Sequence, residues 1–188
     1  MLYRHVILCL LVVLMTASVL MGADEGLQSG DLAPTFFARS LDDDDFFLSR
    51  VVGERARAYL KGPVVLSFFT TSCIPCRKEI PFLHSLSKQF SEAHFYLINV
   101  GEEEHIIRKY VDQMGYSLPI LLDKYGTIAK KYDAMVTPTL VVIQEDGSIR
   151  LHKHGFRESD PDHITAQLQE ILRPQSVEAA GDSLQLAE

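Results

Sequence analysis

The sequence predicts an α/β fold, a mixed central sheet flanked by helices on both faces. Two observations carry most of that expectation. Residues 63–70 (PVVLSFFT) and 95–100 (FYLINV) are short, continuously apolar runs rich in β-branched and aromatic residues, the pattern of strands covered on both sides. Each is followed by a segment whose apolar residues recur at helical spacing. Composition supplies the third. With 188 residues, 47% hydrophobic and 23% charged, the chain suits one packed domain and excludes a disordered chain, a coiled coil or a collagen-like fibre.

The elements follow in order. Residues 36–38 read as a short strand, residues 42–45 as an acidic turn, and Phe46, Phe47 and Leu48 as the return arm of a hairpin. The aspartate run lacks the spaced ligands and closing Glu of an EF-hand, so it reads as a solvated turn. After the central strand at 63–70 a helix opens near Pro75, whose missing N–H costs nothing in a first turn. Ile80, Leu83, Leu86 and Phe90 share one face of that helix, and Pro81 is expected to kink it. Strand 95–100 precedes a helix carrying Ile106, Ile107, Tyr110, Val111 and Met114. A short strand at 119–122 and a short helix at 127–132 come next. Residues 140–144 and 149–154 are strands joined by the turn Glu145-Asp146-Gly147. Asp160-Pro161 reads as an N-cap with proline at the first helical position, opening a last helix with Ile164, Leu168, Ile171 and Leu172 on its core face.

The first residues read as an address. Residues 6–21 are apolar apart from Cys9, Thr16 and Ser18; Arg4 precedes them, and Gly22 and Ala23 follow. A positive head, an apolar middle and a small-residue exit are the layout of a secretory signal. Residues 1–23 are therefore expected to be a signal peptide or an uncleaved N-terminal membrane anchor. Met21 is large for a cleavage site, and the apolar run is shorter than the about 20 residues a span requires, so both readings stay open. The folded domain is expected over 24–173, with a flexible polar tail over 174–188. Without Arg4 the net charge passes from −7 to −8. The expected location is periplasmic, or the outer face of the cytoplasmic membrane. With no basic cluster, nucleic acid is excluded as a partner.

The chemistry lies in Cys73-Ile74-Pro75-Cys76, placed between a buried strand and a helix start. A thiol there faces unpaired backbone N–H groups and the positive end of the helix dipole, and both favour the thiolate, which is the attacking species. Cys73 is expected to be the exposed nucleophile and Cys76, one turn on, the shielded resolving thiol. In an oxidising compartment such a pair closes a disulfide. A structural zinc site needs four ligands, and no second cysteine pair exists; His84 and His94 face elsewhere by their spacing.

These residues resemble the thioredoxin fold. The run SFFTTSCIPCRKEIP, Pro81, Thr137-Pro138 and the closing hairpin with Gly155 stand in that family's order, over about residues 30–173. The nearest resemblance is to the TlpA/ResA group of extracytoplasmic thiol–disulfide oxidoreductases. It rests on the N-terminal hairpin, about 20 extra residues near 101–120, and Glu79 three residues after Cys76. The resemblance implies an added helix and strand at that insertion, a cis-proline loop at Thr137 and Pro138 that offers its backbone to substrate, and Glu79 as an active-site acid. It implies reduction of disulfides in exported proteins, often apocytochrome c, recharging by a membrane thiol donor, and no cofactor beyond the redox-active Cys73–Cys76 disulfide.

Two departures bear on substrate choice and potential. Ser72 stands where the family usually has Trp, and Ser67 where thioredoxin itself has a buried acid. A peroxidase of this fold would match Thr70, three residues before Cys73, but its proline position is Leu66 and Cys76 is foreign to its pattern. An oxidant or isomerase would run the same dithiol in reverse. Two thiolates would also bind Cu(I). Copper-delivery proteins of this fold tend to space the cysteines by three and add a remote histidine; here the spacing is two, with His152 and His154 on the last strand.

Overall fold

The computed structural model describes residues 26–172. The expected signal or anchor and the polar tail lie outside the described residues. Seven strands form one mixed sheet: β1 (Phe37–Ser40), β2 (Asp45–Phe47), β3 (Val64–Phe69), β4 (His94–Val100), β5 (Ile120–Asp123), β6 (Thr139–Ile143) and β7 (Ile149–His154), in the order β2-β1-β5-β4-β3-β6-β7. Four helices accompany them: α1 (Cys76–Gln89), α2 (Glu104–Met114), α3 (Thr127–Lys131) and α4 (Asp160–Ile171). Among the described residues no helix is long and apolar enough to cross a membrane.

The run VVLSFF becomes β3, every residue of it buried. It pairs in parallel with β4 and antiparallel with β6. Alternation along a strand sends its residues to two different cores. Val65 and Phe69 join Ile80, Leu83, Leu86, Ile107, Val111, Ile164 and Leu168 under α1, α2 and α4. Val64, Leu66 and Phe68 join Phe36, Leu48, Ile128 and Tyr132 beneath the N-terminal hairpin and α3. Tyr132 anchors this second core. Its ring lies 5.8 Å from Phe36 and 5.7 Å from Phe68, and its hydroxyl donates to the Pro34 carbonyl at 2.7 Å. Ser67, between Val65 and Phe69 in β3, therefore points to the α1 side.

The insertion has a structural purpose. It supplies α2 and β5, and β5 lies between the two parts of the sheet, parallel to β4 and antiparallel to β1. The N-terminal hairpin thus pairs with the core sheet through β5. At the other edge β6 and β7 form the closing hairpin, turned at Gly147, whose φ of +92° a side chain would resist.

Helix α1 begins at Cys76, with Pro75 as its flanking N-cap residue, and carries Pro81 in its second turn, where the Arg77 carbonyl loses its intrahelical donor. Two local expectations are corrected. Asp160 is not the N-cap of α4. Ser159 holds that position without a side-chain bond, and Asp160 stands in the first turn. Its carboxylate is drawn away by Lys153 Nζ at 2.6 Å and the Arg157 N–H at 2.7 Å. On α2 only Ile107 and Val111 are buried, while Ile106 is 45% exposed, so the helix presents a narrow apolar stripe to the core.

These differences in burial set a stability contrast. Leu83→Ala, at a fully buried site, is expected to cost about 2–5 kcal/mol, whereas Ile106→Ala should change stability by about 0.5 kcal/mol or less. Urea unfolding of both variants measures the difference.

Candidate functional site

The sheet topology brings the sequence-predicted residues to one end of the molecule. β3 and β4 are parallel, so the chain leaves both at the same end; β6 is antiparallel and begins there, with Thr139 opposite Phe68. The cysteine turn after β3, residues 101–103 after β4, and Thr137-Pro138 before β6 therefore meet. The Thr137-Pro138 peptide bond is cis, as the resemblance implies.

Cys73 and Cys76 are joined by a disulfide, their Cα atoms 5.4 Å apart. Cys76 is fully buried; Cys73 is 7% exposed, so the expected exposure of Cys73 holds only relative to its partner. The turn folds the chain over the first sulfur. The Cys76 backbone N–H donates to Cys73 Sγ at 3.2 Å, supplying the helix-start donor anticipated for a thiolate. In the turn and in the segment before the proline loop, Ile74, Met135 and Val136 are exposed, alongside polar Ser72 and Arg77. On the α2 side, Thr71 and Arg77 form one wall of a groove of about 510 Å³, and Ile106, Lys109, Tyr110 and Met114 help form the other.

Glu79 is not a surface carboxylate. It projects from the first turn of α1 into the interior and is wholly buried. Ser67 Oγ donates to its Oε2 at 2.5 Å, and its Oε1 has no hydrogen-bond partner. Burial raises its pKa from 4.5 to about 7; the Ser67 bond and the charge of Lys153 pull the other way, and the charge of Asp160 adds to the rise. The serine that replaces thioredoxin's buried acid on β3 thus holds an acid contributed by α1. A carboxyl that is half protonated near neutrality can both give and take a proton.

Two networks position the loops. Glu102 accepts from the Thr71 N–H at 2.8 Å, the Thr71 hydroxyl at 2.6 Å and the Asn99 amide at 2.6 Å, which ties the turn before Cys73 to the end of β4. Sequence reasoning missed this clamp, although a polar Asn99 inside FYLINV was a signal, since a buried amide needs partners. On the other side Lys153 Nζ donates to Asp160 and to the Gly155 carbonyl at 2.8 Å, and the Gly155 N–H donates to the Pro138 carbonyl at 2.7 Å. Lys153 and Asp160 were also missed as site neighbours, since a lysine on an outer strand and an aspartate at a helix start have ordinary local uses.

The two candidate histidines bond residues on either side of Pro138. His152 Nε2 donates to the Tyr132 carbonyl at 2.7 Å, and His154 Nδ1 meets the Thr139 hydroxyl at 2.9 Å. Among the described residues no group of three or more His, Cys, Asp or Glu is arranged to hold a metal ion.

Comparison with known proteins gives concordant results. A family model described as the AhpC/TSA family matches residues 30–152. The thiol-disulfide oxidoreductase ResA of Halalkalibacterium halodurans is 28% identical over 158 residues, spanning 82% of this chain and 83% of that protein. The thioredoxin-like protein YneN of Bacillus subtilis is 30% identical over 129 residues, 66% of this chain and 71% of that protein. A Chlorobium tepidum structure assigned as a thiol:disulfide interchange protein DsbE superposes with a TM-score of 0.70 at 23% identity, covering 78% of this chain and 99% of that one.

The buried carboxyl sets a pH dependence. Glu79 holds its proton more tightly folded than unfolded, so its contribution to stability is fully present below about pH 4.5 and is lost as pH rises through about 7. At 1.36 kcal/mol per unit, that loss is about 3 kcal/mol. Urea unfolding of the oxidised protein between about pH 4 and pH 8 should show it relative to Glu79→Gln; a constant difference between the two proteins would remove the raised pKa.

Proposed function

Because this chain belongs to the AhpC/TSA family and is a thiol–disulfide oxidoreductase of thioredoxin-like fold, we propose that it reduces disulfides in exported proteins, apocytochrome c among them. The observation that carries the reading is the cysteine pair at the start of α1, with the Cys76 N–H on Cys73 Sγ and a buried carboxyl one turn further along.

In the proposed cycle the reduced Cys73 thiolate attacks one sulfur of a substrate disulfide. A Cys73–substrate bond forms, the substrate S–S bond breaks, and the departing thiolate takes a proton from water. Glu79, as carboxylate, accepts the Cys76 proton. The Cys76 thiolate attacks Cys73 Sγ, closing the Cys73–Cys76 disulfide and expelling the second substrate thiolate, to which the proton returns. Two electrons pass from the dithiol to the substrate, and no other cofactor takes part. The backbone at Thr137 and Pro138 holds the substrate strand by β-type pairing. Exposed Ile74, Met135 and Val136 suit an apolar protein segment as substrate.

The apolar residues 6–21 support export and an N-terminal tether, at the outer face of the membrane or in the periplasm. A membrane thiol donor would then return two electrons to the disulfide. The direction of flow rests on likeness to ResA, and the same residues would serve an oxidant or isomerase running in reverse.

Two measurements test the reading. Cys73→Ser should abolish disulfide exchange, while Cys76→Ser should accumulate a mixed disulfide with substrate, visible by mass; exchange that survives Cys73→Ser removes the mechanism. Equilibration of the full-length chain with dithiothreitol buffers should give a reduction potential near or below about −270 mV, and a value near −120 to −180 mV would replace the reductant with an oxidant or isomerase.

A further inference from the structure

The segment from β7 to the start of α4 is packed over the same part of α1 that carries Glu79. Lys78 pairs with Glu158 at 2.7 Å, and Phe82 stacks on Phe156 with ring centroids 5.8 Å apart. Those two contacts sit on either side of Glu79 in the helix. The same segment carries a second ion pair, Lys153 to Asp160 at 2.6 Å, far better shielded than the other surface pairs, with side chains 26% and 12% exposed. It is fixed at several points. Lys153 also donates to the Gly155 carbonyl, and Asp160 also accepts the Arg157 N–H. Gly155, in a left-handed turn at φ +73°, passes its own N–H to the Pro138 carbonyl. The pair is thus held in one geometry and tied through Gly155 to the proline loop.

The groups facing Glu79 come from three elements. Ser67 on β3 donates to its Oε2; Lys153 on β7 and Asp160 at the start of α4 act on it by charge. On α1 itself the preceding turn holds Cys76 in its disulfide. Inside a protein a charge that stays put acts on a buried carboxyl much more strongly than the same charge in water.

We propose that Lys153 and Asp160 are positioning residues of this site, an opposed charge pair that sets the protonation of Glu79 and so the pH at which Cys76 can be deprotonated. The inference rests on the role given to Glu79 above. Lys153 favours the Glu79 carboxylate and Asp160 its acid form, so the two residues have opposite effects although they share one bond. A residue that merely braced the loop would not act in this way. Loss of either partner would then loosen the same segment, admit water to Glu79, and move its titration in the same direction.

The test is the titration of Glu79 in the oxidised full-length chain, carboxyl-labelled with ¹³C at glutamate and assigned by the signal lost in Glu79→Gln. In the unsubstituted protein the midpoint is expected at about 7. Lys153→Met should raise it and Asp160→Asn should lower it, each by at least about half a pH unit. Lys153→Arg, which keeps the cation, should stay with the unsubstituted protein. Midpoints that move together, or do not move, overturn the proposal. If Lys153→Met does not fold, Asp160→Asn and Lys153→Arg decide it, since a rise or no change in the first, or a shift in the second, contradicts the charge account. The pH profile of disulfide exchange separates this inference from the reading it rests on. Opposed shifts of the midpoint with a profile untouched by Glu79→Gln would uphold the charge pair and remove Glu79 from proton transfer.

Discussion

A carboxyl group with no access to water constrains this molecule more than any other group. Glu79 takes one hydrogen bond, from Ser67, and leaves its second oxygen unpaired in the interior. Burying an ionised carboxylate so sparsely bonded is costly, and the group responds by keeping its proton to about neutral pH. The fold accepts that cost at one point, the first turn of the helix that carries the disulfide. The raised pKa has the same origin as the chemistry proposed for it, since a carboxyl in water would be ionised far below neutrality and would make a poor proton donor to a thiolate.

Everything around Glu79 serves to hold that turn. β3 buries all six of its residues, which lets it pass through the middle of the sheet and deliver the cysteine turn at its end. Its alternation puts Ser67 on the α1 side. The Glu102 clamp fixes the turn from β4, and the Lys153–Gly155–Pro138 chain of hydrogen bonds fixes the proline loop from the opposite edge. The inserted β5 extends the sheet toward the hairpin, and α2 provides the far wall of the groove beside Thr71 and Arg77. A thiol–disulfide oxidoreductase needs a disulfide that is reachable yet held close to its resolving partner, and these contacts supply that combination with Cys73 barely exposed above a fully buried Cys76.

Much of the fold was legible because its signals are local. Continuous apolar runs mark β3 and β4, the Glu145-Asp146-Gly147 turn marks the closing hairpin, and the cysteine pair marks the start of a helix. The errors are informative. Asp160 has the sequence of an N-cap, but a lysine from β7, seven residues earlier, takes its carboxylate. Ile106 has the spacing of a core residue, but α2 buries only a narrow stripe at Ile107 and Val111. Asn99 and Glu102 have no motif at all; they matter because a parallel strand pair brings the ends of β3 and β4 together.

The sequence by itself determined which residues could carry the chemistry, namely a Cys-x-x-Cys between a buried strand and a helix, a following glutamate, and a Thr-Pro before a late strand. It also determined the α/β class, because hydrophobic periodicity follows directly from the repeat of a helix or strand. Tertiary structure alone decided what environment each of those residues meets. Helical spacing puts Glu79 on the face of Cys76, Leu83 and Leu86, but it does not say that other elements close over that face and shut out water. The burial of Glu79, its bond to Ser67 and the opposed charges of Lys153 and Asp160 come from elements 12, 74 and 81 residues away in the chain. Dielectric and field at a point depend on every atom nearby in space, and only the folded chain brings those atoms together.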